Sequence, residues 1–161
     1  MSLAIRAASP GDEGEILRMV RALADFEREP DAVVATEAML TENLFGEGAQ
    51  VHAHIAERAG QAVGLALWFL NYSTWTGRPG LYLEDLFVDP AERKSGVARA
   101  LMVALAEEAL ARGCARMDWA VLDWNTEAMT FYERIGARRN EGWQPWRIEG
   151  DGIERLALTG K

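Results

Sequence analysis

Leu81-Tyr82-Leu83-Glu84-Asp85-Leu86-Phe87-Val88 leads into Asp89-Pro90-Ala91-Glu92 and then into Arg93-Lys94-Ser95-Gly96-Val97-Ala98. The first segment reads as a strand, and the second connects it to the third. The third opens a long helix in which Val97, Leu101, Leu105 and Ala109 recur at helical spacing until Gly113 ends it. A strand, a short basic loop with a glycine and a helix start together form an anion site. Unpaired backbone N–H groups and the positive end of the helix dipole converge there. The spacing Arg-x-x-Gly-x-Ala lacks the three glycines of a dinucleotide loop and the Gly-Lys-Ser/Thr of a P-loop.

Working outward, Leu3–Ala7 reads as a strand and Ser9-Pro10-Gly11-Asp12 as a helix start, with Ser9 as the cap. Ile16, Leu17, Val20, Leu23 and Ala24 form the apolar stripe of that helix, which should stop before Pro30. Thr36 caps a second helix ending near Gly46. Val51–Glu57 and Ala62–Phe69 make a hairpin, and Asn71–Gly80 is loop-like. Downstream, Ala115–Leu122 reads as a strand and Asn125–Ile135 as a helix closed by Gly136. Two short strands are expected around Trp146 and Leu156. The order β-α-α-β-β-β-α-β-α-β-β predicts an α/β fold with a mixed sheet of about seven strands.

The chain has 161 residues, so one domain over 1–161 is the expectation. No apolar run reaches membrane-spanning length and no signal pattern opens the chain, which predicts a cytoplasmic protein without a membrane partner. A net charge of −8 speaks against nucleic acid. It suits a cationic small substrate, or serves solubility alone. The single Cys114 excludes an intrachain disulfide and reads as a packing residue. With one cysteine and two histidines, His52 and His54, no protein-only metal site is expected. Trp75, Trp124, Trp143 and Trp146 line a cleft or a subunit interface, or serve as core.

The element order and Arg93-x-x-Gly96-x-Ala98 resemble the GCN5-related N-acetyltransferase (GNAT) superfamily. Phe45-Gly46-Glu47, Asn71-Tyr72-Ser73-Thr74-Trp75, Leu81–Val88, Ala120-Val121-Leu122-Asp123-Trp124-Asn125 and Glu141-Gly142-Trp143 are similar to its diamine acetyltransferase group, most of all to the thialysine N-epsilon-acetyltransferase branch. The group carries glycine where this chain has Lys94, and often where it has Ala98. Lys94 adds a cation but excludes backbone geometry that only glycine tolerates.

The resemblance implies acetyl-CoA as co-substrate and no metal. The cofactor would be bound by Leu86, Phe87, Val88, Arg93, Lys94, Ser95, Gly96, Val97, Ala98, Arg99 and Asn125. Backbone N–H groups near Phe87 and Val88, freed where parallel strands splay, would receive the acetyl carbonyl. Tyr132 would be the general acid for the leaving thiolate, its phenol keeping its proton at neutral pH because its pKa is about 10. Without the resemblance, Tyr132 is a core residue on the stripe of Ala128, Phe131 and Ile135.

Glu84 would bind and deprotonate the amine. Strand alternation places it on one face with Tyr82, Leu86 and Val88, leaving Asp85 opposite as a structural acceptor. Phe26, Glu27, Ser73 and Trp75 complete the substrate side. The uncharged Ser73 and Thr74 suit a zwitterionic lysine-like amine better than a polyamine. The expectation is a homodimeric N-acetyltransferase acting on a small lysine-like amine, its interface drawn from Trp143–Leu158. A polyamine acetyltransferase is the alternative within the class, and a non-catalytic CoA-binding regulator the alternative outside it.

Overall fold

The computed structural model describes residues 2–160. They group into two compact units, one up to Asn125 and the other from Thr126 on.

In the first unit, the strands β1 (Leu3–Ala7), β2 (Val51–Arg58), β3 (Gln61–Ser73), β4 (Arg78–Val88) and β5 (Met117–Asp118) form one sheet in that order. β1 to β4 pair antiparallel, while β4 and β5 pair parallel, so the sheet is mixed. The β2–β3 hairpin turns on Ala59 and Gly60, both at positive φ (54° and 75°), as a two-residue turn matched to strand twist requires. Ala53–Ala56 and Val63–Trp68 are buried throughout rather than alternating, because helices cover both faces of these strands.

Helices α1 (Glu13–Phe26) and α2 (Glu37–Phe45) cover one face. Ile16 and Met19 of α1 pack there with Ala53, Ile55, Leu65, Leu67 and Phe87, and Leu40 and Leu44 of α2 join the edge of the cluster. Helix α3 (Val97–Ala111) buries Val97, Leu101, Leu105 and Ala109, the stripe that the spacing predicts, together with Met102. It approaches closely at Gly64, where an added Cβ would lie 2.9 Å from Val97.

The start of α1 differs from the expectation. Asp12, not Ser9, holds the N-cap position. Its carboxylate accepts from the Ser9 N–H at 2.8 Å and pairs with Arg6 at 2.7 Å. Arg6 also reaches Glu57 at 2.7 Å, tying β1, β2 and the start of α1 together.

In the second unit, α4 spans Thr126–Arg134 and α5 spans Asp151–Leu158. Two strand expectations are overturned. The stretch around Trp146 is irregular, and the residues around Leu156 are helical. Ile153 and Leu156 stand three apart, and Asp151 and Glu154 sit in the first turn where the dipole favours acids, so local pattern supports a helix. The expected strand Ala115–Leu122 shrinks to Met117–Asp118, which pair only with Leu81 and Tyr82. The sheet among the described residues therefore has five strands rather than about seven.

Candidate active site

β4 carries the site. Its parallel neighbour ends at the pair Tyr82–Asp118, so from Leu83 onward one edge of β4 has no strand beside it among the described residues. The opposite edge continues along β3 to Val88–Gly64. Beyond it the Asp89 N–H donates to the Val63 carbonyl at 2.9 Å. Successive N–H groups of a strand point to opposite sides. With Asp89 donating toward β3, Phe87 does the same, and the N–H groups of Leu86 and Val88 point to the open edge.

The pairing also contains a bulge. Asp85 lies opposite Leu67, but Leu83 lies opposite Trp68, so Glu84 is an extra residue on β4. This overturns the expected alternation. Tyr82 opposite Phe69 and Asp85 opposite Leu67 share a face, while Leu86 and Val88 move to the other. The Glu84 carboxylate bears electrostatically on both Tyr82 and Asp85. Burial, then Glu84 and Glu27, push the Asp85 carboxyl up to about 6. Burial, then Glu84, raise the Glu27 carboxyl. Glu27, Glu84 and Asp85 thus form one acidic cluster beside the open edge, with Asp85 partly buried and Glu84 exposed.

The loop after β4 is held from within. A short turn over Pro90–Glu92 is anchored by the Arg58–Glu92 ion pair at 2.9 Å. The Ser95 hydroxyl donates to the Glu92 carbonyl at 2.6 Å, so that side chain serves the turn. Lys94 takes the left-handed conformation (φ 64°) despite its side chain, and Gly96 follows at φ 88°. Ala100 is the first residue whose N–H bonds back into the helix, to Gly96. Val97, Ala98 and Arg99 therefore present the unpaired donors of a helix start. An added Cβ at Gly96 would meet nothing within 4 Å. Open space, main-chain donors and the exposed cations Arg93, Lys94 and Arg99 fit a pyrophosphate.

At the end of α1, Phe26 packs on Trp124 with ring centroids 5.8 Å apart. The Arg93 guanidinium stands 4.8 Å over the Phe26 ring, and that of Arg28 stands 4.2 Å over the Trp124 ring. The acidic cluster and the Arg93–Ala98 loop are thereby linked through α1. Asn125 closes the turn beside Trp124, its N–H donating to the Leu122 carbonyl at 3.0 Å.

Ser73 and Trp75 are not brought to this cluster within the chain. They occupy the tip of the β3–β4 hairpin, where the buried Ser73 hydroxyl accepts from the Thr76 N–H at 3.3 Å and Trp75 is exposed. Ser73 lies six residues along β3 from Leu67, the partner of Asp85. That is about 20 Å at strand rise. Tyr132 lies on α4 in the second unit, its ring 5.4 Å from that of Phe131. Sequence reasoning missed Arg28 and gave Asp85 only a structural part. Two consecutive acids in an apolar strand were the available signal for a bulge.

A mixed sheet whose last parallel pairing ends early, with a basic loop and a helix start beyond the open edge of β4, is a frame suited to an anionic cofactor. The acetyltransferase (GNAT) family model matches residues 16–137, and the chain belongs to that family as an N-acetyltransferase. It is 41% identical to thialysine N-epsilon-acetyltransferase of Sus scrofa over 97% of this chain and 98% of that protein. It is 26% identical to an L-ornithine N5-acetyltransferase of Arabidopsis thaliana, over 94% and 86% respectively. Among solved structures, an integron cassette protein from the mobile metagenome of V. cholerae superposes with a TM-score of 0.77 at 29% identity, covering 99% of both chains. No helix among the described residues is long and apolar enough to cross a membrane, and no cluster of potential metal ligands occurs among them.

Proposed function

We propose that the chain, acting as one domain over 1–161, transfers the acetyl group of acetyl-CoA to the terminal amine of a small lysine-like amino acid of the thialysine type. The observation that carries this reading is the acidic cluster of Glu27, Glu84 and Asp85 beside the open edge of β4. The names and near full-length similarity of the relatives support it.

Acetyl-CoA supplies an activated acyl thioester. Val97, Ala98 and Arg99 bind its pyrophosphate through their N–H groups, and Arg93, Lys94 and Arg99 balance the charge. The N–H groups of Leu86 and Val88, about 7 Å apart along the strand, receive the acyl carbonyl oxygen, where negative charge develops, and the pantetheine arm. Glu27 and Glu84 hold the substrate ammonium. Asp85 or Glu84 takes its proton, directly or through water, freeing the nitrogen lone pair. The new N–C bond forms as the C–S bond breaks, Tyr132 gives its phenolic proton to the departing sulfur, and the second proton lost by the nitrogen returns through water to the tyrosine. Transfer is direct, with no acyl group carried on the protein.

The enzyme works in the cytoplasm as a homodimer. The exposed Trp143, Trp146, Ile148, Ile153 and Leu156 supply apolar surface for association. Light scattering at micromolar protein should give twice the chain mass, and a monomer mass would remove this part of the reading.

Acetyl-CoA-dependent thiol release over a panel of amines tests the substrate. A higher kcat/KM for thialysine than for spermidine is expected. Equal or better turnover of spermidine would replace the lysine-like assignment with a polyamine one. Cofactor binding without thiol release on any amine would reduce the protein to a binding module.

A further inference from the structure

We propose that Arg28, braced on Trp124, receives the carboxylate of an α-amino-acid substrate and so selects amino acids over plain diamines. The inference deepens the reading above and rests on it.

The first observation is conformational. Helix α1 ends with the Glu29 N–H bonded to the Ala24 carbonyl at 2.9 Å and the Arg28 N–H bonded to the Asp25 carbonyl at 3.1 Å. This hydrogen-bond pair is a Schellman ending, which places Arg28 at the left-handed position, with φ 66°. Glycine suits that position best, and an L-residue there is strained. Arg28 is exposed, so burial does not repay the strain. A side chain kept at a strained position near a site calls for a use beyond the fold.

The second observation is electrostatic. The basic side chains Arg6, Arg18, Arg58, Arg112, Arg116 and Arg147 each pair with a carboxylate. Arg28, like Arg21, Arg78, Arg93, Lys94 and Arg99, has no such ion pair among the described residues, and its contact is the face of Trp124 at 4.2 Å. Stacking on an aromatic face orients a guanidinium while leaving its in-plane N–H groups available. Those donors match a carboxylate in a bidentate manner.

The third observation is placement. Glu27 belongs to the acidic cluster and Arg28 is the next residue. Opposite charges on consecutive residues at a helix end give the site two poles. The acids take a terminal ammonium and Arg28 takes a carboxylate, which suits a short zwitterion with a cationic side chain. A diamine fills only the acidic pole. Arg93 and Lys94 lie in the phosphate loop, so the cofactor does not require Arg28.

Steady-state kinetics on thialysine and on the diamine formed by removing its carboxyl group test the proposal. Arg28→Gly fits the left-handed backbone and should melt no lower than wild type. Its ratio of kcat/KM for thialysine over the diamine should fall about tenfold or more, mainly through the KM for thialysine. Arg28→Lys keeps the charge without the planar fork and should fall between. An unchanged ratio in a folded Arg28→Gly variant would overturn the proposal, as would a wild-type preference for the diamine. Failure of the wild-type enzyme to turn over either amine would instead remove the small-amine reading, and this inference with it.

Discussion

Trp68 donates its indole N–H to Nδ1 of His54 at 3.0 Å, on the face of the sheet that carries α3. His52 stacks on the same indole with ring centroids 4.4 Å apart, and Arg112 stands 5.0 Å over it. Nε2 of His54 lies 3.7 Å from Glu108. With Nδ1 accepting, His54 is neutral and carries its proton on Nε2. Protonation at Nδ1 would set two donors against each other.

That geometry predicts a pH dependence of stability. Burial lowers the His54 pKa, Glu108 opposes this, and Arg112 adds to it. The folded state therefore binds this proton less readily than the unfolded chain. The contribution is complete above the unfolded value of about 6.5 and is lost as pH falls through it toward the lower folded value. His54 should contribute a fall in melting temperature between pH of about 7.5 and 5.5, read as the difference from Trp68→Phe, which no longer blocks Nδ1 and should lose less stability over that interval. Equal slopes in calorimetry would contradict the assignment.

Asp85 should show the opposite sign. Its carboxyl is held at about 6, against 3.8 for the free group. The folded protein thus pays for ionising it, and stability declines as pH rises through that interval. Asp85→Asn should be more stable than wild type at pH of about 8, by roughly 1–3 kcal/mol. The same variant should lose the acid limb of the kcat/KM profile near Asp85's pKa of about 6. A pH profile that keeps that limb would assign it to another group.

Tyr132→Phe removes a proton donor and little volume. The turnover number should fall by roughly ten- to a thousandfold, while CoA affinity stays near wild type. Wild-type kcat, with chemistry shown to be rate-limiting, would exclude Tyr132 as the acid.

Lys94→Gly separates backbone from charge. Glycine relieves the left-handed conformation but has a more disordered unfolded state, so stability should change by no more than about 1 kcal/mol. The dissociation constant for CoA should rise a few-fold at low salt, and the difference should shrink as salt screens the phosphates. A difference independent of salt would mean that the lysine acts through geometry alone.

Local periodicity made much of this molecule legible in the sequence. Val97, Leu101, Leu105 and Ala109 marked the buried side of α3, and the Arg93–Ala98 loop marked its start, because helical spacing and helix starts are short-range properties. The bulge at Glu84 was not legible. It is defined by the register against Leu67 and Trp68, which lie on another strand. Arg28 was hidden for a related reason, since its partner Trp124 is remote in the chain. In the tail, Trp146 has the side chain of a strand former, and residue type alone does not distinguish a strand from the irregular segment found there. Around Leu156, the spacing of Ile153 and Leu156 and the acids near the start of α5 decided for a helix.

The early end of β5 has a consequence for how this chemistry tolerates mutation. Because the donors at the open edge are main-chain N–H groups of Leu86 and Val88, the identity of the side chain there does not encode them. Lineages can exchange one apolar residue for another along this edge and keep the same two donors in place. Only a change that reaches the backbone itself removes one, and proline, which has no N–H, is the substitution that does so directly. What places the donors at this spot is an interrupted strand pairing, set by the length of a neighbouring segment and not by the residue type at either donor position.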